Sequence, residues 1–192
     1  YLVHLTLGTG IGGGIILGGQ VYRGALGAAA ELGHMIVLEG GPACNCGASG
    51  CLESLASGVA IYRRVEELAA AGRTSPMVEE FLADPEAFDA AAVCRHADAG
   101  ESLATDILHR AGWHLGTGIA SLVNIFNPDV VTLSGGLLGC FHHMEDAMYR
   151  CIGETAIAIS RDHVRILTST LGDDVGMLGA AILASEACGA GS

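Results

Sequence analysis

Lysine is absent from this sequence: the nine basic residues are all arginine, they face 21 aspartates and glutamates, and the net charge is −12 at pH 7. That balance opposes binding of nucleic acid or of an anionic membrane surface by this segment. No apolar run approaches the roughly 20 residues of a membrane-spanning helix. The opening Tyr1–Leu7 alternates like a strand where a signal peptide would carry a basic region. The first residue is tyrosine, not methionine, and the chain is read as part of a longer polypeptide. An even cysteine count is also missing. Seven cysteines, three of them in one cluster, suit a reducing compartment better than a disulfide-stapled secreted domain, so a cytoplasmic protein is expected.

Apolar residues, by contrast, make up 51% of the 192 positions, enough for one well-buried domain or one lobe of a larger protein. The first half is glycine-rich and strand-like. Strands are expected at residues 1–7, at Gly14–Leu17 and at Met35–Leu38, with tight turns between them. From Glu53 the spacing of Leu55, Val59, Ile61, Tyr62, Val65 and Leu68 predicts a helix ending near Gly72. Residues 77–99 predict two short helices around Asp84-Pro85, and residues 101–126 one long, mostly buried helix that Asn127-Pro128 ends. Val130–Leu133 and Val164–Leu167 read as strands, each followed by a helix: one near Met144 to Ile157, the other around Gly176–Ala187. The alternation defines an α/β class.

The most specific chemistry lies in His34, Cys44, Cys46 and Cys51. One imidazole and three thiols in a short stretch make a complete tetrahedral donor set for zinc, with no position left open for a reacting water, so the site is read as structural. The Cys-x-Cys spacing is tighter than in most zinc fingers; Gly47 and Gly50 supply the turns that wrapping three thiolates around one ion requires. The competing reading is of small buried side chains or a disulfide pair. It is disfavoured because the other cysteines, Cys94, Cys140, Cys151 and Cys188, are scattered singly and read as buried or free thiols.

Two glycine turns are candidates for ligand binding. Gly8-Thr9-Gly10-Ile11-Gly12-Gly13-Gly14 follows one strand and enters another, so it is neither a P-loop nor a dinucleotide fingerprint, both of which enter a helix. It can bring backbone N–H groups and the Thr9 hydroxyl to a phosphate, or it can be a plain glycine-rich hairpin. Ser134-Gly135-Gly136 ends a strand where α/β proteins often bind ligands, or is a simple strand-to-helix turn. The remaining histidines, His4, His96, His109, His114, His142, His143 and His163, show no pattern that suggests metal or catalysis. Asp173-Asp174 reads as a helix cap, and Trp113 as a core or interface residue.

Taken together, Gly8–Gly14, Glu31-x-Gly33-His34, Cys44/Cys46/Cys51 with Glu53, and Ser134-Gly135-Gly136 resemble the ROK family of sugar kinases and sugar-responsive repressors, its bacterial glucokinases above all. The resemblance covers essentially the whole chain, residues 1–192, as the C-terminal lobe of an actin-like (ribonuclease H-like, hexokinase-type) ATPase fold with a zinc-binding loop. It implies ATP- and Mg²⁺-dependent phosphorylation of a hexose, glucose to glucose 6-phosphate, by a homodimer or homotetramer. By the same resemblance Gly8, Thr9, Gly10, Gly12, Gly13, Ser134, Gly135 and Gly136 bind the nucleotide, and Glu31, His34 and Glu53 bind the hexose. Zinc on His34, Cys44, Cys46 and Cys51 then positions the imidazole without touching the reaction.

One departure is that Ala30 precedes Glu31 where many family members have glycine. In the family the general base is an aspartate of the N-terminal lobe, which also carries the first phosphate loop, and this chain shows neither. A fragment without them is expected to be inactive. The runner-up is a sugar-sensing repressor whose helix-turn-helix lies outside the chain, and a third class is a zinc-stabilised scaffold without ligand. The intact glycine loop favours the kinase.

Overall fold

A computed structural model of the protein describes residues 1–189, without the side chains of residue 173 and residues 186–189. The Asp173 carboxylate and the Cys188 thiol therefore lie outside the described residues. The centre is a five-stranded mixed sheet in the order β3-β2-β1-β4-β5. Strands β1 (Leu2–Leu7), β2 (Ile11–Leu17) and β3 (Gln20–Val21) form an antiparallel meander. Strands β4 (Val130–Ser134) and β5 (Arg165–Thr168) add in parallel beside β1. Val3, Leu5 and Leu7 of β1 are buried while the residues between them are less so, the period-2 signature of a sheet with one covered face.

The helices between β3 and β5 supply that cover. They are α1 (Glu53–Ala56), α2 (Gly58–Ala70), α3 (Pro76–Ala83), α4 (Ala90–Asp98), α5 (Ser102–Phe126), α6 (Glu145–Thr155) and α7 (Ala158–Arg161). A last helix, α8 (Val175–Gly189), follows β5. Helix α5 is the spine, with Leu108, Leu115, Ile119 and Val123 without exposed surface. It ends at Asn127, whose left-handed φ of 43° closes the last turn and lets Pro128 follow. Helix α6 crosses α5 so closely that a methyl group on Gly112 would overlap the Met144 carbonyl oxygen. Among the described residues no helix is long and apolar enough to cross a membrane.

Two elements differ from the sequence reading. Met35–Leu38 is not a strand: the segment makes only an isolated bridge, Ile36 with Cys51, because its backbone groups are taken by the cysteine loop instead of a sheet neighbour. The helix read as continuous from Glu53 is broken at Ser57, whose φ/ψ of −84°/169° is extended and whose hydroxyl caps α2 by accepting from the Ala60 N–H. The break has a tertiary cause. At the start of α2 the Gly58 and Val59 N–H groups donate to the Gly8 and Thr9 carbonyls of the β1–β2 turn, at 2.8 and 3.3 Å. Gly136–His143, between β4 and α6, is a 3₁₀ segment.

Candidate functional site

The thiol cluster is built by a tight loop. The Cys44 N–H donates to the Ala48 carbonyl, the Gly47 N–H to Cys44 and the Gly50 N–H to Pro42, at 2.8–3.0 Å, folding residues 42–51 back on themselves. Gly50 must be glycine, since its φ is +75° and a methyl there would run into the Leu38 carbonyl. The loop is anchored by Leu52, fully buried against Gly118 of α5, a contact whose loss on truncation costs about 2–5 kcal/mol. His34 arrives from a 3₁₀ turn, Leu32–His34, in which a methyl on Gly33 would overlap the Ile11 carbonyl.

These elements bring all four sequence-predicted donors together: one ligand atom from each of His34, Cys44, Cys46 and Cys51 lies within 4.8 Å of the other three. His34 Nδ1 is 3.6 Å from Cys44 Sγ, and Cys46 Sγ is 3.6 Å from Cys51 Sγ. Those separations match the edges of a tetrahedron with Zn–S of about 2.3 Å and Zn–N of about 2.0 Å, so the residues fit a closed zinc site. No disulfide joins the three. Burial, and then the neighbouring thiols, push Cys51 up to about 12, while hydrogen bonds, the Ala48 backbone's first, hold the exposed Cys46 below its usual value. The three thiols would hold a dication as thiolates, their protons released to solvent.

Glu53 follows the loop as the first residue of α1 and turns back to β2, where its Oε2 accepts the Ile11 N–H at 2.8 Å. Ile11 is thus shared. Its N–H holds Glu53 and its carbonyl lies against Gly33, next to His34. Glu31 is exposed at the start of the 3₁₀ turn, and Ala30 before it has φ +70°, a conformation that suits glycine and strains alanine.

On the other side of the glycine turn lies a cavity of about 640 Å³, the size of a small-molecule site. Gly8, Thr9, Gly136 and Leu137 form one side, Tyr62 and Phe88 another. Gly8 and Gly136 have neither a left-handed φ nor any atom within 4 Å of a would-be methyl, so nothing in the protein's own packing demands glycine there. With the Gly8 and Thr9 carbonyls drawn to α2, the Thr9 and Gly10 N–H groups have no hydrogen-bond partner among the described residues. Gly10 instead lies beside Glu53 in a smaller adjoining cavity that Thr9 also lines.

The other predicted nucleotide residues do not line this cavity. Gly12 and Gly13 belong to β2, paired with Thr6 and Leu5. Ser134 is buried, its hydroxyl 3.0 Å from His4 Nε2 and 3.3 Å from Thr6 Oγ1. Gly135 makes the turn: its φ is +100°, and a side chain there would collide with the Leu7 carbonyl. Sequence reasoning missed Tyr62, Phe88 and Asp89 as cavity residues, since nothing in their spacing separates them from helix faces and caps.

This arrangement is the α/β fold of the actin- and hexokinase-like ATPases, with a zinc-type loop inserted before α1. The chain belongs to the ROK family, which it matches over residues 1–187. It is 35% identical to a glucokinase of Thermotoga maritima over 98% of the chain and 59% of that protein. It is 32% identical to the transcriptional dual regulator NagC of Escherichia coli, over 93% of the chain and 42% of the regulator. Among solved structures it resembles a ROK family glucokinase from Streptomyces griseus, crystallised with glucose and AMPPNP, with a TM-score of 0.78 and 31% identity, over 95% of the chain and 59% of that protein. The chain thus spans well under two thirds of the relatives it matches.

Proposed function

We propose that the protein is an ATP-dependent hexose kinase acting on glucose, in which this chain is the C-terminal lobe, holding the hexose beside the thiol cluster and part of the nucleotide in the 640 Å³ cavity. The observation that carries the reading is the glycine turn, whose unpartnered Thr9 and Gly10 N–H groups lie between that cavity and Glu53. Free backbone donors flanked by glycines cradle phosphate. Two carboxylates nearby, Glu31 and Glu53, accept hydrogen bonds from sugar hydroxyls. The γ-phosphoryl of ATP would pass to the primary hydroxyl, whose proton goes to an aspartate contributed by the N-terminal lobe. Mg²⁺ enters with ATP and offsets its charge.

Zinc held by His34, Cys44, Cys46 and Cys51 would fix the loop and the imidazole plane. With Nδ1 facing Cys44, His34 keeps Nε2–H to donate to a sugar hydroxyl. Similarity to regulators such as NagC supports a second reading, a sugar-sensing regulator. The free backbone donors beside a nucleotide-sized cavity favour the kinase.

Calorimetric titration of the full-length protein with glucose and a non-hydrolysable ATP analogue tests the division of sites. Glu31→Gln should weaken glucose about ten- to a hundredfold by loss of a charge-assisted bond, and leave the nucleotide unchanged. Gly8→Val should do the reverse. A Glu31→Gln protein that lost the nucleotide and kept glucose would overturn the assignment.

A further inference from the structure

A second cluster of metal-ligating side chains lies at the rim of the large cavity, outside the thiol loop. Cys94 and Asp98 stand one turn apart on α4, and His142 and His143 end the 3₁₀ segment after β4. One ligand atom from each lies within 4.8 Å of the others. A single carboxylate oxygen, Asp98 Oδ1, accepts from the Nε2–H of both histidines, at 2.8 and 2.7 Å, and the two rings are 4.1 Å apart. The Cys94 thiol is buried and makes a long contact of 3.6 Å to the Gly139 carbonyl.

We propose that Cys94, Asp98, His142 and His143 form a second metal site, for a transition-metal dication of zinc's kind. The donor set is one thiol, one carboxylate and two imidazoles, which suits a borderline-soft ion and disfavours Mg²⁺ or Ca²⁺, whose ligands are oxygens. Charge agrees: on binding, the Cys94 proton would leave to solvent, each imidazole would shift its proton from Nε2 to Nδ1 so that Nε2 offers a lone pair, and thiolate plus carboxylate would neutralise the dication while both imidazoles stay neutral. Geometry agrees as well. The N···O distances are those of hydrogen bonds, shorter than the edges of a zinc tetrahedron, and Asp98 and His142, each 53% exposed, are free to swing outward by the fraction of an ångström that admits the ion. Cys140 is not among the four donors; its thiol donates to the Ala90 carbonyl. Metal in this site would clamp α4 to the 3₁₀ segment, the two elements that bring Cys94 and Gly136 to the cavity.

The test is metal stoichiometry of the full chain, measured by dialysis against micromolar Zn²⁺ and by Co²⁺ titration, which reports thiolate ligation through its charge-transfer absorption. Wild type should bind two ions per chain. The His142→Ala/His143→Ala protein should bind one and retain the strong absorption of the three-thiolate site. Asp98→Asn, which keeps an oxygen acceptor for both imidazoles but removes the charge, should weaken the second ion at least tenfold and guards against misfolding of the double variant. A wild type that binds one ion, or either variant binding two as tightly as wild type, overturns the proposal.

Discussion

Glu53 and Ile11, 42 residues apart, are joined by a hydrogen bond from the Ile11 N–H to Glu53 Oε2, and the Ile11 carbonyl lies against Gly33 on its other side. One residue of β2 therefore fixes the relative position of the glycine turn, the His34 turn and the helix that follows the thiol loop. The proposed phosphate and sugar contacts are set by a single stretch of backbone.

On the proposed function Glu53 has two separable roles. Glu53→Gln keeps an oxygen for the Ile11 N–H but loses the charge offered to a sugar. Glucose affinity of the full-length protein should fall about ten- to a hundredfold with stability nearly unchanged. Glu53→Ala also leaves the Ile11 donor unpaired and should cost a further 1–3 kcal/mol or so of folding stability. Urea denaturation of both variants checks the difference, and equal stabilities would contradict it.

Ala30 holds a left-handed conformation at φ +70° beside Glu31. Ala30→Gly removes the steric cost and should stabilise the protein by about 1 kcal/mol, net of the greater freedom of glycine in the unfolded chain. Asn127→Gly, also left-handed but at a residue that tolerates it, should gain less. An unchanged or lower denaturation midpoint for Ala30→Gly would count against strain at this position.

Gly8 and Gly135 should separate ligand-driven from fold-driven glycine. Gly8→Ala has open space and should leave stability within about 0.5 kcal/mol while weakening nucleotide binding. Gly135→Ala meets the Leu7 carbonyl at φ +100° and should cost about 2–4 kcal/mol. Thermal melts of the two variants, with and without nucleotide, read both effects.

Much of this was legible in the sequence. The donor set His34, Cys44, Cys46 and Cys51 is local: its three cysteines share the tight loop of residues 42–51, and His34 precedes Cys44 by only ten residues. The long helix, expected over 101–126, is observed at Ser102–Phe126 because its apolar period and the Asn-Pro stop are both strong signals. What failed depends on distant partners. Met35–Leu38 has the apolar content of a strand, but its neighbour is the cysteine loop. The break at Ser57 is imposed by carbonyls of the β1–β2 turn. His142 and His143 showed no partner pattern because Asp98 is 44 and 45 residues away.

His4 gives a pH dependence. Burial lowers its pKa, and His114 shifts the same way, from burial first and Arg110 second. The folded state then resists a proton that the unfolded chain accepts near pH 6.5 or so, so this part of the stability is complete above that pH. It should decline as pH falls toward the folded pKa. The His4→Asn/His114→Gln protein should lose less stability than wild type between about pH 7 and pH 5.5 in parallel urea titrations. Equal slopes would contradict the burial argument.

The most direct measurement is formation of glucose 6-phosphate by the full-length protein supplied with glucose, ATP and Mg²⁺, followed by a coupled assay. The account predicts steady turnover with one ATP consumed per sugar phosphorylated, and none from this chain alone, since the general base is proposed to come from the N-terminal lobe. A full-length protein that binds glucose but never consumes ATP would contradict it and leave the regulator reading in its place.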